Sequence, residues 1–344
     1  MVASIEILMY LWRFSVVCMS DICYLLGMGR LNFVCVSVSL SLAWSLGAFA
    51  QSRTVAVTVD DLPYAMGDST VAASPSDAAA AEEINRKLLS AFRHHHVPVT
   101  GFVVEKRVEE LGIAAGTQIL RKWTNGEFDL GNHTYSHPDV NELPLAQIED
   151  EIVRGEAVIV PLMKRAAKKP EFFRFPMNHT GDTKEKHEQV SALLSRRGYR
   201  LAMCTIDNSD YLFNEAYVRM LAKHDEPSVR KLRLEYLSYT STEIDYYAEL
   251  SKQVLGYEPP EVMLLHDNRL NADMIEQLLA LFEKKQYKFV SLERAQSDPT
   301  YQVPDTYITK YGPMWGYRWA AERGVKVDGR LEPDPPEWIL QYGK

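Results

Sequence analysis

Two histidines four residues apart, His133 and His137, stand in the segment Gly131-Asn132-His133-Thr134-Tyr135-Ser136-His137-Pro138. Imidazoles at this spacing meet on one side of a turn, where both can hold one cation. Alone, the pair is a weak signal, because the same spacing occurs in ordinary turns. Pro138 after it and Gly131-Asn132 before it set the pair at a loop-to-turn junction rather than inside a helix. A third ligand is required, and Asp61 of the doublet Asp60-Asp61 is the natural candidate. Three protein ligands leave one position open, as a catalytic rather than a structural site requires. The other carboxylate then stays free to take a proton from an activated water. In isolation, adjacent aspartates more often form a solvated turn.

These residues acquire weight from the elements that carry them. Val55, Val57 and Val59 alternate with Thr54, Ala56 and Thr58, which predicts a strand ending at Asp60-Asp61. Ser76 can cap a following helix with Ile84, Leu88 and Phe92 on its apolar side. Further strands are expected at Val97–Val104, Glu127–Gly131, Glu171–Arg174, Tyr199–Thr205, Glu261–Leu265 and Tyr287–Val290. Helices are expected at 115–124, 184–197 and 271–284, with one long helix opened by Pro144 that carries Ile148, Ile152 and Ile159. Alternating strands and helices predict an α/β fold on a parallel sheet, open or closed into a barrel. Polar clusters then follow successive strands: Asp60-Asp61, His133 to His137, Arg174 to Pro176, Asp207 to Tyr211, and His266. In such folds the carboxyl ends of the strands share one face, and that face holds the active site.

The ordered set resembles the NodB-type polysaccharide deacetylases, carbohydrate esterase family four, over Thr58 to about His266. Thr58-Val59-Asp60-Asp61 resembles the family's first motif, which implies Asp60 as general base and Asp61 as metal ligand. His133 to His137 resembles the second, which supplies two histidine ligands. Arg174-Phe175-Pro176 resembles the third; there Arg174 would hold the base, with Pro176 and Met177 at the cleft. Asp207 to Tyr211 resembles the fourth, with Asp210 as partner of the catalytic histidine, and Leu264-Leu265-His266 the fifth, with Leu264 beside the acetyl methyl and His266 as general acid. Two positions depart from the pattern: Met177 stands where an aromatic residue is usual, and Tyr211 where tryptophan is usual. Both alter the substrate pocket rather than the reaction. The resemblance implies a distorted (β/α) barrel with a helical insertion and an aromatic C-terminal extension. It implies removal of acetyl groups from N- or O-acetylated polysaccharide or oligosaccharide. Zinc suits a carboxylate with two imidazoles, and cobalt, nickel or manganese also fit. Hydrolysis of other non-peptide C–N bonds, in small amides or ureides, is the alternative within the same fold. A carbohydrate-binding protein with a dead site would have lost a ligand or base, and none of these positions is lost.

Composition agrees with an enzyme of neutral or cationic substrates. The chain has 344 residues and a formal charge of −8, without the basic block that a nucleic-acid partner needs. Its first fifty residues hold only four charged side chains, Glu6, Arg13, Asp21 and Arg30. From Met28 they read as a secretory signal: Arg30, the apolar run Leu31 to Leu46, and the small-residue pattern Ala48-Phe49-Ala50. The expected organisation is a leader at 1–50 with the true start at Met28, a deacetylase-like domain at 51–296, and an extension at 297–344 packed on it. Export to periplasm, cell envelope or exterior follows, with membrane contact only through an uncleaved leader. Cys18, Cys23 and Cys35 lie in that leader, so Cys204 is left without an internal disulfide partner and reads as a buried thiol. His94-His95-His96 reads as a solvated helix end, and His179 and His187 as surface or rim positions. Tyr301, Tyr307, Tyr311, Trp315, Tyr317, Trp319 and Trp338 make the extension aromatic, suited to packing over the domain. The stretch between Tyr211 and Val262 is expected to be helical, as a lid or a surface connection.

Overall fold

The strand predicted at Thr54–Val59 is the axis of the molecule. The computed structural model describes residues 52–65 and 75–342, so the expected leader lies outside the described residues. Strand β1 (Thr54–Leu62) is buried along nearly its whole length. β-Branched residues suit a parallel strand covered on both faces. The remaining strands are β2 (Val99–Val103), β3 (Asp129–Asn132), β4 (Phe172–Phe173), β5 (Arg200–Leu201), β6 (Ile206–Asp207), β7 (Glu261–His266) and β8 (Lys288–Phe289). All ladders are parallel, in the order β5-β4-β3-β2-β1-β7-β6, with β8 on the first residues of β1. Among the described residues no ladder joins β5 to β6. The sheet therefore curls as a distorted (β/α) barrel that stays open at one seam.

Helices clothe this sheet. In chain order they are α1 (Pro75–His94), α2 (Glu105–Glu110), α3 (Ile113–Lys122), α4 (Leu145–Arg154), α5 (Ile159–Arg165), α6 (Lys184–Arg197), α7 (Asp210–Ala222), α8 (Glu226–Leu255), α9 (Arg269–Lys284), α10 (Leu292–Ala295), α11 (Trp315–Arg323) and α12 (Glu337–Leu340). Helix α1 buries Ile84, Leu88 and Phe92 as its period dictates. It begins at Pro75, so Ser76 lies in the first turn and not at the cap. Among the described residues no helix is long and apolar enough to cross a membrane.

Three expectations are corrected. The long helix after Pro144 breaks at Gly155 and resumes at Ile159. A Cβ on Gly155 would lie 2.5 Å from Asn132 Oδ1 and 3.0 Å from the Thr134 carbonyl. Close approach to the His133 turn thus excludes a side chain and ends the helix there. Ile148 and Ile152 consequently pack in one apolar cluster and Ile159 in another. The strand expected over Tyr199–Thr205 is two, β5 and β6, one on each side of the seam. Between them the chain pairs with Gln296 and with the C-terminal extension: Met203 N–H donates to Gln296 Oε1 (3.0 Å), and Trp315 N–H donates to the Cys204 carbonyl (2.9 Å). Backbone groups that a closed barrel would pair are satisfied in this way. Lastly, α8 is neither lid nor surface connection, since Leu232, Tyr236 and Ile244 lie in the same core as β1 and β7. Tyr301, Trp315, Trp319 and Ile339 of the extension share that core.

Candidate active site

Consecutive side chains of a strand point to opposite faces, yet Asp60 and Asp61 must serve one site. The β1–β2 register shifts between Val59 and Leu62, and Asp61 adopts a left-handed φ of 71°. That irregularity turns both carboxylates toward the same imidazole. His133 Nε2 lies 3.6 Å from Asp60 Oδ2 and 3.8 Å from Asp61 Oδ1. His137 Nε2 lies 3.5 Å from Asp61 Oδ1. The histidine turn is not helical: Thr134 and His137 both have positive φ, 73° and 60°. Asn132 Oδ1 accepts from the Thr134 N–H (2.8 Å), and Thr134 Oγ1 accepts from the His137 N–H (3.0 Å). Two short side-chain bonds do the work that helical pairing would have done.

Each ligand candidate is oriented by a second partner. His133 Nδ1–H donates to the Arg174 carbonyl at 2.8 Å, which leaves the Nε2 lone pair facing the aspartates. Asp61 Oδ2 meets the Arg107 guanidinium at 3.1 Å, while its Oδ1 is buried without a hydrogen-bond partner. Burial pushes the Asp61 carboxyl up, but Arg107 and the neighbouring imidazoles hold it well below the usual carboxylate range. Burial lowers both imidazoles, His137 to about 4, so they stay neutral and able to ligate. Tetrahedral bonds of ~2.1 Å place ligand atoms about 3.4 Å apart. The spacing of Asp61 Oδ1 and the two Nε2 atoms, together with an orphaned buried oxygen among them, fits a divalent cation of the zinc type.

Asp60 stands beside this triad as an oriented carboxylate. Arg174, fully buried, donates from Nη1 to Asp60 Oδ1 and to Thr58 Oγ1, both at 2.8 Å. The guanidinium also lies 4.4 Å from the Phe102 ring centroid, a cation–π contact that fixes its plane. Opposite, His266 is the β1–β7 ladder partner of Asp60. Its Nδ1 bonds to Asp210 Oδ1 at 2.6 Å, and its backbone N–H donates to Asp210 Oδ2 at 2.7 Å. Burial alone would lower this imidazole, but the Asp210 charge and hydrogen bond, with Asp61 and Asp60 beyond, raise it to about 10. His266 is thus held protonated with Nε2 left for the cleft. A cleft of about 900 Å³ opens on Asp60, Asp61, His133, His137, Leu264 and His266.

Residues 49–202 match the family model described as polysaccharide deacetylase. That stretch of the chain is similar to the polysaccharide deacetylases. The matched residues include the aspartate doublet, the histidine pair and Arg174 to Met177; the Asp210 and His266 segments lie beyond them. The chain is also 28% identical over 94 residues to the peptidoglycan-N-acetylglucosamine deacetylase of Bacillus cereus, which covers 27% of this chain. The chain spans about a third of that relative's length, 31%. Solved structures similar to it include a wild-type CE4-family pseudoenzyme from Bacillus anthracis (16% identity, TM-score 0.46, covering 71% of this chain and 66% of the other). A family 4 carbohydrate esterase from Streptomyces lividans in complex with acetate is another (20% identity, TM-score 0.44, covering 71% and 95%).

Around the cleft, the other expected residues fall as follows. Tyr211 is 48% exposed at its wall, with its ring edge-on to His266 at 5.9 Å. Met177, also 48% exposed, and Asn178 line the wall opposite, whereas Pro176 is buried at the start of their 3-10 turn instead of facing the cleft. Sequence reading missed Arg107, whose place in α2 gives no local hint of its contact with Asp61. It also missed Asn271, whose amide donates to Asp210 Oδ2 and whose Oδ1 accepts from Tyr236 at 2.6 Å. Tyr236 and Thr240 of α8 in turn accept from Asn208. The helical insertion therefore braces the segment that carries Asp210. His179 bonds Asp139, while His187 is buried against the Asp305 carbonyl, neither at the surface nor on the lining of this cleft. His95 lies between Glu276 and Glu283 at the end of α1.

Proposed function

We propose that this protein is a divalent-metal-dependent deacetylase of acetylated glycans, exported by its N-terminal leader. One observation carries the reading. A buried aspartate oxygen without a partner faces two imidazole Nε2 atoms, with an arginine-held carboxylate beside them and an aspartate-held imidazolium across the cleft. Asp61, His133 and His137 would hold the ion, zinc by their donor set. The ion supplies Lewis-acid polarisation of the acetyl carbonyl and makes water more acidic.

The remaining chemistry belongs to the chain's own groups. Asp60 Oδ2 takes a proton from water as it attacks the carbonyl carbon, while Arg174 keeps Oδ1 occupied. The Met177 N–H donates to the oxygen that gains negative charge. His266 gives its Nε2 proton to the departing amine or alcohol, and Asp210 stabilises the imidazolium until then. Leu264 and Tyr211 bound the space for the acetyl methyl and the sugar. A wide cleft favours a sugar chain over a small cyclic amide, and the similarity to a peptidoglycan deacetylase points to N-acetyl groups.

Acetate release tests this directly. Peptidoglycan, chitin oligomers, acetylated xylan and a panel of small amides are each incubated with the protein. Release from an acetylated glycan, abolished by chelator and restored by zinc, is the expected outcome. Turnover confined to small amides, or undiminished after complete metal removal, would overturn it.

A further inference from the structure

The extension after Ser297 does more than cover the barrel, because it reaches the cleft. Gly312 and Met314 line the cleft wall beside Met177 and Asn178. Those two non-glycine residues are consecutive and both left-handed, with φ of 57° and 54°. Such a pair persists only where its surroundings over-determine it. The surroundings here come from the extension. A Cβ on Gly312 would lie 1.8 Å from the Met177 carbonyl oxygen and 2.9 Å from its carbon, so only glycine allows this approach. Arg318 is fully buried and has every donor group engaged. Its Nη2 donates to the Asn178 carbonyl (2.8 Å), Nη1 to Thr180 Oγ1 (3.0 Å) and Asp305 Oδ2 (2.7 Å), and Nε to the Pro313 carbonyl (3.2 Å). The guanidinium lies 4.5 Å from the Trp315 ring centroid, and the Trp315 N–H is tied to the Cys204 carbonyl at the seam.

We propose that Gly312 and Arg318 are positioning residues for the reaction: they fix the Met177–Asn178 backbone so that the Met177 N–H meets the developing oxyanion. The inference rests on the deacetylase reading and adds to it the segment that builds the oxyanion side of the cleft. Fixing the loop from outside leaves the Asp61–His133–His137 triad and the His266–Asp210 pair untouched, since the hydrogen bonds of Arg318 go to Asn178, Thr180, Asp305 and Pro313. Lysine in place of Arg318 keeps the charge and loses the planar fork, so Asn178, Thr180 and Asp305 can no longer be bridged together.

The test uses the full chain with Gly312→Ala and Arg318→Lys. Acetate release is followed on chitopentaose, with zinc content per chain and hydrogen–deuterium exchange of the peptides over 174–181 and 130–138. Loss of one oxyanion donor costs about 10²–10³ in kcat. A misplaced one is expected to lower kcat at least ~30-fold in both variants, with KM within about threefold and zinc content unchanged. Exchange over 174–181 should rise at least about tenfold while 130–138 stays protected. Unchanged kcat in a variant with faster exchange at 174–181 would overturn the proposal, and so would exchange there equal to the parent's. Uniformly faster exchange along the chain would make both residues merely structural, and overturn it as well. If the parent releases no acetate from any glycan, the deacetylase reading falls, and the exchange comparison alone still decides whether these residues clamp the loop.

Discussion

Replacing Asp210 with asparagine isolates the acid half of the chemistry. Asp210 is fully buried, and its two oxygens have separate tasks. Oδ2 accepts from the His266 N–H and the Asn271 amide, while Oδ1 meets His266 Nδ1. Two donors converging on Oδ2 dictate how an asparagine sits there: its oxygen takes the Oδ2 place, and its NH₂ points at Nδ1. That NH₂ cannot face the N–H of an imidazolium, so the charged form loses its hydrogen bond as well as its counter-charge. Opposite charges about 4 Å apart in an effective dielectric near 20 attract by about 4 kcal/mol, or roughly 3 pKa units. The size agrees with the rise of His266 from 6.5 to about 10. An acid must be protonated to act, so activity falls as pH rises through its pKa. Lowering that pKa therefore moves the alkaline limb to lower pH, by at least ~2 units in Asp210→Asn. With the pKa brought down from about 10 to roughly 7, about a tenth of His266 stays protonated at pH 8, and the variant should be slower there by about tenfold. The pH dependence of kcat/KM for acetate release reports the limb, and the His266 ring-proton NMR titration reports the group itself. An alkaline limb that stays where the parent's lies, with kcat/KM within threefold, would remove His266 from the role of acid.

Two further substitutions separate neighbouring functions and local environments. Asp61→Asn should lose bound zinc as measured by elemental analysis, whereas Asp60→Asn should keep its full zinc content and lose about 10²–10⁴ in kcat; equal metal loss in both would merge the two roles. Cys204 is fully buried, and burial pushes its thiol up to about 12. Native protein at pH 8 should leave a thiol reagent unreacted at this position until denaturant is added, and rapid labelling of Cys204 in the folded state would contradict that placement.

What the sequence discloses about this molecule is its strand tips. Val55 to Asp61 announces itself by alternation and by two carboxylates, and His133 to His137 by residue type and spacing; neither signal depends on distant partners. The boundaries within 199–207 were not legible, because an apolar run such as Ala202-Met203-Cys204 suits either a strand or a seam closed from elsewhere. The same holds for Gly155, whose meaning comes from Asn132 and Thr134 across space. Arg107, Asn271, Gly312 and Arg318 act through contacts with segments far along the chain, and no local pattern marks them. Thus the atoms that would do chemistry, with Arg174 and Asp210 beside them, could be named from the sequence, and the four more distant groups that aim them could not.

The open edge between β5 and β6 also sets a timetable. Synthesis proceeds from the N-terminus at roughly 5–20 residues per second, and Trp315 follows Cys204 by more than about a hundred residues. For several seconds a growing chain would carry Met203 and Cys204 beside an unfinished edge, with their stitching partners still unmade. A chaperone would meet that edge before the barrel could shut, and the last helices to emerge would decide when it does.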